Sequence, residues 1–365
     1  MPYRYTFTAE IVQFLQVIER VRTEVRLTVL PPAVTERLRQ RARVRSSHYS
    51  TRIEGNRLTL REAEQVLEEG KSFRGRERDA LEVQHYYQAL AAVEGWTDRK
   101  FEVSEERIRK LHALIFTGRR ARPSPYRDGQ NVIRDGSGGL VYLPPEAKDV
   151  PPLMAELVRW IHTGENDLPV PVVAGMAHYQ FVTIHPFYDG NGRTARALAT
   201  WILYRGGYDL GRFYALEEFY ARDLQGYYRA LATHPHHNYY EGRAETDLTG
   251  WLAYFLEGMA SVFEEIAIEV RNSSAEAGHT EDNPLLGLDR RARMVLSLFT
   301  RQEEITSSDA AQLLGLSPRQ TRDLMTEWVA QGWIEISNMA RKTRRYRLSA
   351  VYRRFIGGIS AGFIR

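Results

Sequence analysis

The clearest pattern of hydrophobic and polar positions along this chain lies between residues 173 and 204. Apolar residues recur with the spacing of one helical face before a short polar loop, and they do so again after it. These positions are Val173, Ala177, Phe181 and Ile184 before the loop and Ala195, Leu198, Ala199 and Ile202 after it. The pattern predicts a buried helix that ends at His185, because Pro186 follows, and a second helix that begins near Arg193.

Helical spacing also occurs elsewhere, whereas β-prone sequence is confined to short runs. Further helices are predicted from about residue 33 to 55, from 150 to 162 and from 251 to 270. The runs 131–134 and 140–143 flank the turn-forming segment Asp135–Gly139, which is a strong hairpin signal. The sequence therefore predicts a mainly α fold that carries a small β-hairpin.

The C-terminal region has the pattern of a separate small module. Three helices are predicted at 288–299, 307–314 and 317 to about 331, with a glycine-containing turn between the second and the third. Two strands at 333–336 and 345–348 follow around a basic tip, so we expect a winged helix. The predicted domains are an N-terminal helical region at 1–75, a central core at 76–270, a linker of polar composition at 271–285 and the winged helix at 286–365.

Composition narrows the class of protein. The chain has 365 residues, of which 43% are hydrophobic and 26% charged, and it contains no cysteine. Disulfides, thiolate catalysis and cysteine-based zinc sites are thereby excluded. Glutamates interrupt the apolar stretch 251–270, and the first residues have no apolar signal core, so we expect a cytoplasmic protein without a membrane span. The net charge of +4 does not indicate nucleic acid, but no acidic residue follows Ser337, while arginines cluster there.

The loop between the two central helices combines residue types that a phosphate-handling site needs. It holds a proton acceptor, His185, and a carboxylate, Asp189, followed by the turn Gly190–Gly192. The glycines let backbone N–H groups face an anion, and the N-terminus of the second helix adds the positive end of its dipole. Arg193 and Arg196 lie three apart and project from neighbouring positions on its first turn.

The stretch from His185 to Arg196 resembles, at every defining position, the signature of the Fic (Fic/Doc) family, His-x-Phe-x-Asp/Glu-Gly-Asn-Gly-Arg-x-x-Arg. Members of that family usually transfer AMP from ATP to a hydroxyl side chain of a target protein. The resemblance therefore implies ATP as substrate, Mg²⁺, and a protein target, which is either another protein or the chain itself. It further implies that His185 is the base and that Asp189 holds Mg²⁺. The residues that it implies for nucleotide binding are Gly190, Asn191, Gly192, Arg193, Thr194, Ala195 and Arg196.

The upstream segment Ser50–Asn56 resembles the inhibitory motif of the same family, Ser/Thr-x-x-x-Glu-Gly/Asn. Ser50 and Glu54 are four positions apart and share one helical face. The resemblance implies that Glu54 pairs with Arg196 and keeps the γ-phosphate out of its productive place. We therefore expect a self-inhibited enzyme with an N-terminal inhibitory helix.

Two further assignments rest on the same resemblance. The hairpin is similar to the family's flap over the active site, where Leu140, Val141 and Tyr142 would dock the backbone of the target as an added strand. Tyr227, in the pair Tyr227-Tyr228, is expected near the adenine, although core packing explains tyrosines at these positions equally well.

The function of the C-terminal module and the type of reaction each leave alternatives open. If the winged helix bound DNA, Arg319, Gln320 and Arg322 would face the major groove, and Arg341, Lys342 and Arg344 the phosphates. Alternatively, the module mediates protein contacts or holds a homodimer together. The alternatives to AMP transfer are another nucleotide-like donor, a kinase, an enzyme that also removes AMP with the help of Glu54, and a nucleotide-sensing DNA-binding regulator.

Overall fold

Helices make up most of the computed structural model, which describes residues 3–118, 122–134, 138–242, 246–278, 288–300, 302–338 and 344–353. The helices up to residue 278 are α1 (Ala9–Leu27), α2 (Pro32–Ile53), α3 (Leu60–Glu68), α4 (Glu77–Asp98), α5 (Glu105–Thr117), α6 (Val150–Asp167), α7 (Val170–Ile184), α8 (Asn191–Arg205), α9 (Leu216–Arg222), α10 (Leu224–Leu231) and α11 (Thr249–Gly278). The predicted mainly α class is confirmed. Among the described residues, no helix is long and apolar enough to cross a membrane.

The helices α7 and α8 pack against each other and position the loop that joins them. Helix α7 is buried on nearly every side, because α6 and α8 cover it. Even its polar residues His178 and Gln180 are buried. Helix α8 was expected to bury one face, yet it is enclosed along almost its whole length, since α4 and α5 pack on it as well. Both ends of the loop 185–190 are therefore fixed by core helices.

Contacts within the chain define two compact units. The first comprises Met1–Val25 and Arg39–Ala267, and the second comprises Arg26–Leu38 and Ile268–Arg365. Most of the predicted N-terminal region thus belongs to the same unit as the central core. The linker predicted at 271–285 differs from the structure in its first part, because α11 continues to Gly278. The stretch 279–285 lies outside the described residues.

The predicted hairpin is present. Strand β1 (Ile133–Arg134) pairs antiparallel with β2 (Leu140–Tyr142), and Ile133 lies opposite Tyr142. The Tyr142 side chain is buried, and its hydroxyl donates to the carbonyl oxygen of Thr183 at 2.7 Å. This bond ties the hairpin to the end of α7. The turn residues 135–137 lie outside the described residues.

The second unit contains the C-terminal elements α12 (Arg290–Leu296), β3 (Ile305–Thr306), α13 (Ser307–Leu314), α14 (Pro318–Ala330), β4 (Ile334–Asn338), β5 (Arg345–Leu348) and α15 (Ala350–Arg353). The strands form an antiparallel sheet of order β3-β5-β4. Trp328, Trp333 and Phe299 belong to its apolar core. The three predicted helices and two predicted strands occur in the predicted order, whereas β3 and α15 were not predicted. The assignment as a winged helix stays a prediction.

The first helix of this unit differs from the sequence pattern at both of its ends. The first helix begins at Arg290 instead of 288, because Asp289 caps it by accepting from the N–H groups of Arg291 and Ala292 at 2.7 and 3.0 Å. It ends at Leu296 and continues as a 3-10 turn over Ser297–Thr300. The basic tip 339–343, with Arg341 and Lys342, lies outside the described residues.

Candidate active site

His185 ends helix α7 in a left-handed conformation, with φ 51° and ψ 58°. This backbone region is unusual for a residue with a side chain, and the surrounding contacts must hold it. The ring nitrogen Nδ1 lies 3.3 Å from the carbonyl oxygen of Val182. A carbonyl only accepts hydrogen bonds, so Nδ1 carries the proton and Nε2 keeps its lone pair.

The imidazole of His185 is neutral at physiological pH. Burial lowers its pKa to about 4, and the guanidinium of Arg127 acts in the same direction, whereas Glu54 and Asp189 oppose the shift. A neutral imidazole with an open Nε2 is able to take a proton from a hydroxyl group. The geometry and the protonation state of His185 are therefore those of a general base.

The loop after His185 is held by hydrogen bonds to its own backbone. The Asn191 side chain accepts from the N–H of Phe187 at 2.9 Å and donates to its carbonyl oxygen at 2.8 Å. The buried Asn191 side chain is therefore committed to shaping the loop, and the nucleotide-binding role implied for Asn191 stays a prediction. His112 on α5 also holds the loop: its ring stacks on Phe187 with centroids 3.8 Å apart, and Nε2 lies 2.8 Å from the carbonyl oxygen of Asp189.

The N-terminus of helix α8 faces the same loop. Gly190 precedes it with φ 77° and ψ 7°, and no side chain caps the helix. The first N–H groups of an uncapped helix are a site for an anion. Thr194 and Ala195 are buried, and the Thr194 hydroxyl donates to the carbonyl oxygen of Gly190 at 2.8 Å.

Gly192 serves a different purpose from Gly190. It lies in the helix, and its φ is not positive. A Cβ at this position would lie 2.4 Å from Oε1 of Glu54 and 3.1 Å from Nη1 of Arg196. Gly192 is therefore required for space, since the Glu54 carboxylate rests directly against the first turn of α8, where an anionic ligand would bind.

Arg196 brings the two distant motifs together. Its Nη2 donates to Glu54 Oε1 at 2.9 Å and to the carbonyl oxygen of Ser50 at 2.8 Å, and its Nε donates to Ser50 Oγ at 3.0 Å. The Arg196 side chain is 1% exposed and that of Glu54 is 29% exposed. Burial alone would lower the pKa of Arg196, but the Glu54 carboxylate raises it above its ordinary value. Ser50 contacts the arginine and so fixes its orientation toward Glu54.

Arg193 lies near two carboxylates. Its Nη2 is 3.6 Å from Asp189 Oδ1, and its Nη1 is 3.8 Å from Oε1 of Glu82 on α4. Glu82 also accepts from the Asn56 side chain at 3.2 Å, which links this arginine to the end of the segment Ser50–Asn56. Within the described part of the chain, Arg193 Nε and Arg196 Nη1 are buried without a hydrogen-bond partner. Each arginine thus has one N–H donor that is not used by the described residues.

Asp189 is the side chain that fits a metal ligand. Its carboxylate is half exposed, and Oδ1 accepts from the Gly190 N–H at 2.6 Å. The described residues contain no group of three or more His, Asp or Glu that would hold a metal by itself. Proteins commonly bind Mg²⁺ through one or two carboxylates together with substrate phosphates, so the site suits an ion that binds along with a nucleotide.

The two tyrosines of α10 differ in exposure. Tyr227 is buried, and its hydroxyl lies 3.2 Å from Nε2 of His178. Tyr228 is 49% exposed, and its hydroxyl donates to the carbonyl oxygen of Ile53 at 3.4 Å. Tyr227 is therefore enclosed in the core, whereas the ring of Tyr228 is half exposed. The expected place of Tyr227 near the adenine stays a prediction.

The hairpin residues that were predicted to dock a target also differ in exposure. Leu140 and Val141 are exposed, whereas Tyr142 points into the core. The base of the hairpin is joined to the loop, because Asn131 Nδ2 donates to the carbonyl oxygens of Phe187 and Tyr188 at 3.3 and 3.4 Å. Arg127, which the sequence pattern did not single out, donates to the carbonyl oxygen of His185 at 3.0 Å.

In the second unit, the three residues predicted to contact DNA differ in their hydrogen bonds. Arg319, Gln320 and Arg322 are all exposed on α14. The Gln320 side chain, however, accepts from the Ser317 N–H and hydroxyl at 3.2 and 2.8 Å, as part of a capping box. The structure thus gives Gln320 a role in starting the helix. The two arginines remain available at the surface.

In the first unit, helices thus place the neutral imidazole of His185 beside the uncapped N-terminus of α8 and the buried Arg193 and Arg196. Residues 102–203 match the sequence model described as the Fic/DOC family. Over this segment the chain is similar to the Fic/DOC family.

Similar proteins and structures agree with this assignment. The chain is 29% identical over 211 residues to a protein adenylyltransferase Fic from Drosophila persimilis, and 30% identical over 177 residues to that of Drosophila melanogaster. These matches cover 55% and 47% of this chain but only 40% and 34% of the relatives. The chain therefore spans less than half the length of these relatives.

Two solved structures share the fold. A Fic family protein from Desulfovibrio desulfuricans G20 superposes with a TM-score of 0.59 at 26% identity, covering 96% of this chain and 99% of that one. Residues 134–508 of Fic-1 from C. elegans give a TM-score of 0.57 at 22% identity, covering 73% of each chain. The predicted Fic-type fold is confirmed.

Proposed function

We propose that this chain is a protein adenylyltransferase, which transfers AMP from MgATP to a Ser, Thr or Tyr hydroxyl of a protein. The observation that carries the proposal is the neutral His185, with its open Nε2, next to the uncapped N-terminus of α8. One group accepts a proton and the other binds phosphate, which are the two requirements of phosphoryl-type transfer. The names of the relatives add support.

The proposed reaction is a substitution at the α-phosphorus of ATP. Nε2 of His185 takes the proton of the attacking hydroxyl, whose oxygen forms the new bond to the α-phosphorus. The bond from that phosphorus to the bridging oxygen of the β-phosphate breaks, and pyrophosphate leaves. The N–H groups at the start of α8 and the guanidinium of Arg193 stabilise negative charge on the phosphates. Asp189 would hold Mg²⁺, which neutralises part of that charge.

We further propose that Glu54 inhibits this reaction. Its carboxylate lies against Gly192 and accepts from Arg196, so it occupies the position and the cationic partner that the γ-phosphate needs. ATP then binds with its phosphates displaced from the geometry for attack at the α-phosphorus. Loss of the contact between Glu54 and Arg196 would free the guanidinium for the nucleotide.

The exposed Arg319 and Arg322 support a second, separate proposal, that the C-terminal unit binds DNA through α14. Two exposed arginines near the N-terminus of a helix that follows a short turn are suited to contact a duplex. A role in holding two copies together is the competing proposal for this unit.

Intact mass after incubation with MgATP tests the proposed activity. The full chain should gain the mass of one or more AMP groups, with more gained when Glu54 is replaced by Gly. A gain of phosphate instead would identify a kinase. No gain in either chain, with or without added protein substrates, would favour a nucleotide sensor.

A further inference from the structure

Arg127 is a buried guanidinium whose partners are all main-chain carbonyl groups. Its Nε donates to the oxygen of His185 at 3.0 Å and its Nη1 to that of Gly129 at 3.0 Å, while Nη2 donates to that of Pro145. The backbone N–H of Arg127 donates to the oxygen of Pro186 at 2.9 Å. The residue is 3% exposed.

This arrangement needs an explanation, because a buried charge normally has a counter-ion. No carboxylate of the described residues forms an ion pair with Arg127, and burial lowers its pKa. Partial compensation comes from its position, since the carbonyl groups at the C-terminus of α7 carry the negative end of the helix dipole. A neutral side chain would avoid this cost, and a lysine would carry the same charge, but neither has the planar fork of donors that bonds to three separate carbonyl groups.

The three carbonyl groups belong to three different parts of the site. His185 is the residue with the left-handed backbone that aims the imidazole, Gly129 lies in the loop before β1, and Pro145 follows β2. The guanidinium of Arg127 thus connects the turn at His185 to both ends of the hairpin. The additional bond from its N–H fixes the carbonyl group of Pro186, the next residue after the histidine.

We propose that Arg127 is a positioning residue for His185: its planar fork holds the left-handed turn that aims Nε2, and it locks this turn to the two ends of the hairpin. The inference rests on the proposed function, since it concerns the base of that reaction. Arg127 touches neither substrate nor reacting atoms. Its effect on the rate passes through the backbone of His185.

The charge of Arg127 adds a second effect. After burial, which is the largest cause, the guanidinium contributes to the low pKa of His185. Removing the charge should raise that pKa and move the acid limb of the pH–rate profile to higher pH. A lysine keeps the charge but loses the fork, so Arg127→Lys and Arg127→Gln separate the geometric effect from the electrostatic one.

The test uses the full chain with Glu54→Gly, so that inhibition does not obscure the rate. Both Arg127→Lys and Arg127→Gln should lower kcat about 10- to 100-fold while KM for ATP changes less than about threefold, because a base displaced by about an ångström costs rate and leaves nucleotide binding intact. Arg127→Gln should shift the acid limb upward relative to Arg127→Lys. The matched control is Arg205→Lys, whose guanidinium donates to the carbonyl oxygen of Phe101 and contacts none of the site residues; it should retain the parent's kcat.

Several outcomes would overturn the inference. A kcat for Arg127→Lys within about twofold of the parent's would do so. If Arg205→Lys lowered kcat as much as Arg127→Lys does, the inference would also fail, because the loss would then reflect general stability. If Arg127→Gln fails to fold, Arg127→Lys alone decides through kcat and KM. Failure of the proposed function is recognised separately, because the parent chain itself would then transfer no AMP.

Discussion

Replacing Glu54 by glycine should activate the chain. The change removes the carboxylate that accepts from Arg196 Nη2 at 2.9 Å and lies over Gly192. Arg196 keeps its two bonds to Ser50, so its guanidinium stays in place and becomes available to a phosphate. The inhibited and the activated chains should therefore differ in the seating of the nucleotide and not in their fold.

The contacts set the expected magnitude. A hydrogen bond to a charged group contributes roughly 1.5–3 kcal/mol, and the partial exposure of Glu54 argues against a larger value. Since about 1.4 kcal/mol corresponds to a tenfold change in rate, self-modification should rise about 10- to 150-fold. Glu54→Gln removes the charge but keeps the bulk over Gly192, so its activation should be smaller.

The assay is the rate of AMP incorporation into the full chain at fixed MgATP. Arg52→Gly is the matched control, because it places a glycine in the last turn of α2 at an exposed position and leaves Glu54 intact; it should not activate. Arg196→Ala should be inactive, and the double variant with Glu54→Gly should resemble it. An unchanged rate for Glu54→Gly, or equal activation by Arg196→Ala, would refute the inhibitory role of Glu54.

Four other predictions address the base, the metal ligand and the C-terminal unit. His185→Ala should lower transfer about 10²- to 10⁴-fold with MgATP affinity and unfolding midpoint nearly unchanged; activity within tenfold of the parent's would show that another group is the base. Since His185 remains neutral above its pKa of about 4, kcat at saturating MgATP should not fall between about pH 8 and pH 6 through this group; a titration near pH 6.5 that disappears in His185→Ala would contradict the assigned pKa. Asp189→Asn should raise the Mg²⁺ concentration needed for half-maximal rate and weaken ATP binding together, whereas a loss of rate with normal Mg²⁺ and ATP dependence would assign Asp189 another task. Alanine at both Arg319 and Arg322 should weaken binding of the full chain to duplex DNA and flatten its salt dependence; no binding by the parent at low salt would favour the dimer proposal, which sedimentation then tests.

The central helices and their loop could be predicted because local sequence determines them. The apolar spacing on both sides of His185 defines α7 and α8, and the glycine at 190 marks the point where the backbone turns. The capping function of Gln320 was not predicted, although Ser317-x-x-Gln320 has the spacing of a capping box. Likewise, the polar composition of 271–278 did not reveal that helix α11 continues to Gly278.

The residues that support the loop could not be predicted. Arg127, His112 and Glu82 come from a loop and two helices that lie far from the motif in sequence, and each is an isolated polar residue without a periodic signal. Their roles arise only when tertiary packing brings them to the backbone of the loop or to Arg193. Exposure has the same origin: the adjacent Tyr227 and Tyr228 look alike in sequence, yet one is buried against His178 and the other faces solvent.

Two parallel labelling reactions test the central claim most directly. The full chain with Glu54→Gly is incubated with ATP that carries a radiolabel on the α-phosphate or on the γ-phosphate, and His185→Ala in the same background serves as control. Transfer of AMP predicts label on protein from the α-position only, and almost none in the His185→Ala chain. Label from the γ-position, or equal α-label with and without His185, would contradict the account.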